Sequence, residues 1–169
     1  MANPASSHSA ALSYSADRAE AYRELARELA SLVAGETSRT ARMATCVSLL
    51  MQAFAPRFFW CGFYEVDPRK RDELVIGPYQ GTLGGLRIPF GKGVCGTAAR
   101  ERRTILVPDV HAFPGHIACD SRSASEIVTP AFDAAGDLVA VLDVDSTELA
   151  AFDARDAEGL EALCRVLLR

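Results

Sequence analysis

From about Asp17 to Leu32 apolar residues recur at Ala21, Leu25, Leu29 and Leu32 with arginine and glutamate between them, the spacing of a helix with one buried face. After a loop through Gly35, Thr37 or Ser38 can cap a second helix that runs to about Phe54, where Pro56 stops it. The period then shortens. Phe58 to Val66 is an aromatic strand, with Phe58, Trp60 and Tyr64 expected on one face and Phe59, Cys61 and Phe63 on the other. Asp67 and Pro68 turn the chain into a second strand, Glu73 to Tyr79, which feeds the glycine-rich stretch QGTLGGLRIPFGKGVCG. Beyond Gly93 the pattern predicts a short helix to about Arg102, then a strand from Thr104 to Val107 closed by Pro108 and Asp109. A long loop, HAFPGHIACDSRSAS, precedes two β-rich runs, Glu126 to Phe132 and Leu138 to Asp145, that flank the hairpin punctuation DAAG. The segment from Phe152 onward reads as a closing helix with Leu160, Leu163, Val166 and Leu167 inward. Helices at both ends of a central, mainly antiparallel sheet define an α+β fold.

At 169 residues there is room for one core and one small-molecule pocket but not for a second full domain. Residues 1–16, rich in alanine and serine, read as a flexible segment, and 17–169 as the single domain. With a formal net charge of −4 and no basic run, the chain offers no phosphate-tracking face for nucleic acid. The apolar run Leu138 to Leu142 is cut short by Asp143 and Asp145, far below the roughly 18 residues that cross a bilayer, so no membrane association is expected. The first residues lack the basic and apolar regions of a secretory signal, which places the expectation in the cytoplasm. Five cysteines, Cys46, Cys61, Cys95, Cys119 and Cys164, form an odd and irregular set that does not suit a disulfide framework.

Two of those thiols invite chemistry. Cys95 sits where a glycine loop feeds a helix, so backbone N–H groups and the helix dipole could stabilise its thiolate, although a buried small residue fits the position equally well. Cys119 lies on a loop dense in Pro, Gly, His, Asp and Ser, where packing is a weaker explanation than function. His116 could hold a nearby thiolate, or be an ordinary loop histidine. A metal is set aside, because there is no Cys-x-x-Cys pair and His111, His116 and Cys119 match no strong zinc spacing. Asp143 and Asp145, two apart on a strand, project from one face with Val139 and Val141. They are either a solvated strand end or two like charges awaiting a cation or sharing a proton. Antiparallel pairing would bring Glu126 beside Asp145, so that three acids converge; alone, Glu126 reads as a strand start, and Trp60 and Tyr64 as sheet packing.

Taken in order, the motifs WCGFY, GPYQG, IPFGKGVCGTA, VPDVHAFPGHIACDSRSASEIVTP and VLDVDS resemble the free methionine-(R)-sulfoxide reductases, which are GAF-domain enzymes. The resemblance implies that a cysteine attacks the sulfoxide sulfur, methionine leaves, and a second cysteine captures the sulfenic acid as a disulfide that thioredoxin reduces, with no bound cofactor. Matched motif to motif, Cys119 and Cys95 fall on redox cysteines, with attack assigned to Cys119 and resolution to Cys95. Glu126, Asp143 and Asp145 fall on acids that bind the substrate amine and assist protonation of the sulfoxide, and Trp60 and Tyr64 on the strand beside its methyl group. The resemblance further implies a homodimer. Where the family commonly places another cysteine in the loop after QG, this chain has Gly85. Two other readings compete: a GAF small-ligand sensor without catalysis, which the missing thiol favours, and an oxidant-sensing thiol protein, which converging acids would serve poorly.

Overall fold

The computed structural model describes residues 13–117 and 120–168. Two helices open the chain, α1 (Arg18–Leu32) capped by the Asp17 side chain on the Glu20 N–H and α2 (Arg39–Phe54) capped by Ser38 on that of Ala41, each satisfying a backbone donor that the helix leaves unpaired. Tyr14 and Ser15, in the segment expected to be flexible, bond to Glu28 and Glu24 of α1; residues 1–12 lie outside the described residues. The inward face of α1 is Ala21, Tyr22, Leu25 and Leu29. Leu32, expected inward, is exposed, and Val33 at the C-cap is buried instead, as the helix turns past its apolar stripe.

Six strands follow: β1 (Trp60–Asp67), β2 (Lys70–Gln80), β3 (Arg87–Pro89), β4 (Ile105–Val107), β5 (Ser125–Phe132) and β6 (Leu138–Ser146). They form one sheet in the order β3-β2-β1-β6-β5-β4 with every pair antiparallel. Between β3 and β4 lies α3 (Gly93–Glu101), and α4 (Ala154–Leu168) closes the chain. The hairpin at Asp133–Gly136 joins β5 to β6, with Gly136 at φ +84°, a left-handed backbone that glycine adopts without penalty. No helix among the described residues is long and apolar enough to cross a membrane.

Because side chains alternate along a strand, one sheet serves two cores. Cys61 and Phe63 of β1, Ile127 and Ala131 of β5, and Ala140, Leu142 and Val144 of β6 face a layer made by α1, α2 and α4. Trp60, Tyr64, Val128 and Val141 face the opposite layer, with Val94, Cys95, Ala98 and Ala99 of α3. The alternation does not extend back to Phe58 and Phe59. Phe58 packs in the helical core and Phe59 against the other layer, the reverse of the expectation, because pairing starts at Trp60 and the two preceding residues are outside the pleat. Cys46, Cys61 and Cys164 are all buried free thiols in the helical core, and burial pushes each thiol up, Cys164 to about 12.

Candidate active site

Register places the three acids. Glu126 of β5 pairs directly with Asp145 of β6, and Asp145 pairs on its other side with Trp60; two residues back, Asp143 lies between Val128 and Gly62. All three carboxyls therefore project from the face that α3 covers. Gly62 is needed opposite Asp143, because a Cβ there would run into the Tyr79 side chain and stand 2.7 Å from the Trp60 ring. On α3, Gly96 lets the helix seat against the Pro89 carbonyl, which holds Cys95 down against β6. A pocket with about 330 Å³ of empty volume, its mouth included, is lined by Cys95, Glu126, Asp143, Asp145, His116 and Ile117, with Ile88, Lys92, Gly93 and Val94 completing it.

These carboxyls are buried: Glu126, Asp143 and Asp145 are 5%, 4% and 7% exposed. Burial is the main reason that all three hold their protons more tightly than ordinary acids; the mutual repulsion of the group adds to this for Glu126 and Asp143. Asp145 is pushed up to about 6, with a hydrogen bond from Ser123 and the nearby His116 working against the burial. Glu126, Asp143 and Cys95 are close enough for their side chains to shift one another's proton affinity. One oxygen of Asp143, Oδ1, has no partner among the described residues. One acceptor atom is thus left for whatever enters the pocket.

Cys95 combines the two alternatives read from sequence. It does occupy the third position of α3, where the dipole favours a thiolate, but it is buried beside Asp143 and Glu126, and burial first, then those charges, push its thiol well up. The neutral thiol is the resting form. Cys95 Sγ and one oxygen each of Glu126 and Asp143 lie within 4.8 Å of one another. Three groups that close could share a cation or protons.

Cys119 lies outside the described residues, but both sides of its loop are anchored. Upstream, the Asp109 side chain accepts from the His111 N–H to start a turn of 3₁₀ helix, Val110–Ala112. The chain reverses at Gly115 (φ +72°) and delivers His116 Nε2 to 3.3 Å from Glu126 Oε2. Downstream, Asp120 is held well below the usual carboxylate range by Arg122, which it meets at 2.9 Å. The Thr82 carbonyl, in the loop between β2 and β3, accepts from Trp60 Nε1 at 2.8 Å. Trp60 stacks on Tyr64 and on Tyr79 at ring separations of 5.9 and 5.3 Å. Both Trp60 and Tyr64 share an apolar cluster with the lining residues Val94 and Cys95, yet the pocket wall itself is made by other residues. Gly85, in the same β2–β3 loop, has open space where a side chain would stand.

Four sequence-predicted residues, Cys95, Glu126, Asp143 and Asp145, are brought together in one pocket. Sequence reading undervalued His116 and passed over Ser123, Lys92 and Ile117. The run of polar residues beside Cys119 was the available signal for Ser123, whereas Lys92 and Ile117 carry none.

The GAF domain family model matches residues 36–167. The free methionine-R-sulfoxide reductase of Escherichia coli is 42% identical over 147 residues, covering 87% of this chain and 86% of that protein. GAF domain-containing protein A of Dictyostelium discoideum is 44% identical over 148 residues, 88% of this chain and 90% of that one. The chain belongs to the free methionine-(R)-sulfoxide reductase family of GAF domains. The solved free methionine-R-sulfoxide reductase of Neisseria meningitidis, in complex with its substrate, superposes on this GAF domain with a TM-score of 0.87 at 47% identity, covering 94% of this chain and 92% of that one.

A buried acid raised to about 6 has a measurable cost. Below about pH 3 Asp145 is neutral in folded and unfolded chains alike and contributes nothing. As pH rises toward 6 the unfolded chain ionises first, so stability falls, and above that the loss is complete, on the order of 2–3 kcal/mol. Asp145→Asn keeps an acceptor for Ser123 and removes the charge. It is expected to raise the thermal midpoint by about 5 °C or more at pH 7.5 and to leave it unchanged at about pH 3, as followed by circular dichroism melts.

Proposed function

We propose that the chain is a thiol reductase that converts free L-methionine-(R)-sulfoxide to methionine, with Cys119 attacking and Cys95 resolving. The observation that carries this reading is the burial of Glu126, Asp143 and Asp145 side by side in one pocket with a thiol. Three acids so placed are costly unless a cation and a proton are shared among them. An α-ammonium supplies the cation, and a pocket this enclosed favours the free amino acid over a peptide, whose backbone nitrogen carries no charge. The similarity to the free methionine-R-sulfoxide reductases of Escherichia coli and Neisseria meningitidis supports the same substrate.

In this reading the sulfoxide oxygen takes a hydrogen bond from the acid group as Cys119 sulfur bonds to the substrate sulfur. Cys119–SH and the sulfoxide become Cys119–SOH and the thioether, so methionine leaves reduced and the cysteine oxidised. Cys95 then attacks the Cys119 sulfur, Asp143 takes the Cys95 proton, and hydroxide leaves as water with that proton. The resulting disulfide is reduced by a thioredoxin-type dithiol, and no bound cofactor takes part. Trp60 and Tyr64 stiffen the strand beside the substrate methyl, and the working unit is a cytoplasmic homodimer. Gly85, which leaves the β2–β3 loop without a thiol, is the observation that favours a sensor in place of an enzyme.

Methionine release decides between the two. Each free methionine sulfoxide epimer is supplied with thioredoxin, its reductase and NADPH. Turnover of the R epimer alone, with no comparable turnover of peptide-bound sulfoxide, is the expected result; saturable binding without methionine release would establish the sensor.

A further inference from the structure

We propose that His116 is the outer end of a proton relay, His116–Glu126–Asp143–Cys95, that returns a proton to the buried Cys95 sulfur each time its disulfide is reduced. The inference rests on the thiol-reductase reading. Its geometry is a line of close approaches. His116 Nε2 is 3.3 Å from Glu126 Oε2, and one oxygen each of Glu126 and Asp143 and the Cys95 Sγ lie within 4.8 Å of one another. The exposure of the side chains falls along that line, from 14% for His116 to 7% for Glu126, and Cys95 is buried at the inner end.

The chemistry requires such a path. When a dithiol reductant attacks the Cys119 sulfur, the S–S bond breaks, the dithiol is oxidised, and the electron pair of the broken bond leaves on Cys95. That thiolate is buried beside two carboxyls and cannot persist there. It takes a proton through Asp143, which receives one from Glu126, and Glu126 from the imidazolium of His116, which is replenished from water. The charged and titratable groups around the histidine are Glu126 on β5, Asp143 and Asp145 on β6, Lys92 and Cys95 at the start of α3, and the Asp120–Arg122 pair beyond Cys119. Lys92 is the other cation lining the pocket, but it is exposed and makes no described contact with the acids. His116 acts through Glu126 and is a positioning and relay residue, not one that touches the sulfoxide.

The test compares wild type, His116→Gln and His116→Ala, with circular dichroism melts as the folding control; glutamine keeps a hydrogen-bond donor beside Glu126 but cannot pass a proton on. Pre-reduced His116→Gln should lose far less in single-turnover methionine release than in steady-state turnover. Its steady-state kcat with a dithiol reductant should fall by about 10-fold or more. Added imidazole should restore His116→Ala at least in part. An unchanged kcat in His116→Gln, a matching loss in the single turnover with a raised KM, or no imidazole rescue of a folded His116→Ala would each overturn the relay. Should wild type release no methionine even in a single turnover, the reductase reading falls and the relay with it.

Discussion

Cys119→Ser is expected to release no methionine from free methionine-(R)-sulfoxide, whereas Cys95→Ser should release about one equivalent per chain and then stop, because its sulfenic acid finds no partner. The asymmetry follows from where the two thiols sit. Cys95 is buried against Asp143 and held neutral, so it is a poor first nucleophile, yet it becomes a competent second one once Asp143 accepts its proton. Of the residues flanking Cys119 in the sequence, His116 is held at Glu126 and Asp120 at Arg122. Acid-quench assays of methionine, with trapping of the sulfenic acid by a dimedone-type reagent and mass spectrometry, read both variants. A trapped adduct on Cys119 of Cys95→Ser fits the assignment. Multiple turnover by Cys95→Ser would mean that the reductant attacks the sulfenic acid directly and that no internal disulfide is needed.

Asp156→Ala is expected to destabilise the fold by about 3–5 kcal/mol without altering the chemistry of any subunit that remains folded. Asp156 is fully buried at the start of α4. It accepts from Arg18 at 2.8 Å, Arg57 at 2.9 Å, Tyr22 at 3.0 Å and the Asp153 N–H at 2.9 Å, which joins α1, the residues before β1 and α4 at one carboxylate. Removing it strands two guanidinium groups and a phenol in a largely apolar setting. The loss is specific to removal of one partner, since an apolar set of matched shape in place of the whole network would cost far less. Urea unfolding should show a lower midpoint with an unchanged slope; a midpoint within error of wild type would mean that the arginines find water or Asp153 instead.

How much of this was legible beforehand depended on whether a feature is local. The β5–β6 hairpin could be read because a period of two on both sides of DAAG sets its register, and that register alone brings Glu126 opposite Asp145. Helix caps at Asp17 and Ser38 were likewise local. Strand β3 and the 3₁₀ turn at Val110 are three residues each, too short to show a period. The two readings of Cys95 could not be separated beforehand because a helix start is visible in sequence, while the burial beside acids from two other strands is not. His116 needed the reversal at Gly115 to reach Glu126 ten residues on, and nothing in the spacing marks that contact.

The sheet is a single layer, so residues adjacent in sequence answer to different halves of the molecule. Leu142 and Val144 belong to the helical core while Asp143 and Asp145, between and beyond them, belong to the pocket. Cys61, on the helical side, pairs with Val144 and lies between the Trp60–Asp145 and Gly62–Asp143 pairs. Repacking the helical face at Cys61 or Val144 would tilt the strand backbone and with it the spacing of the acids. Laboratory selection for a different amino-acid sulfoxide should therefore find some of its useful changes beneath the floor of the pocket, in side chains that no substrate ever meets.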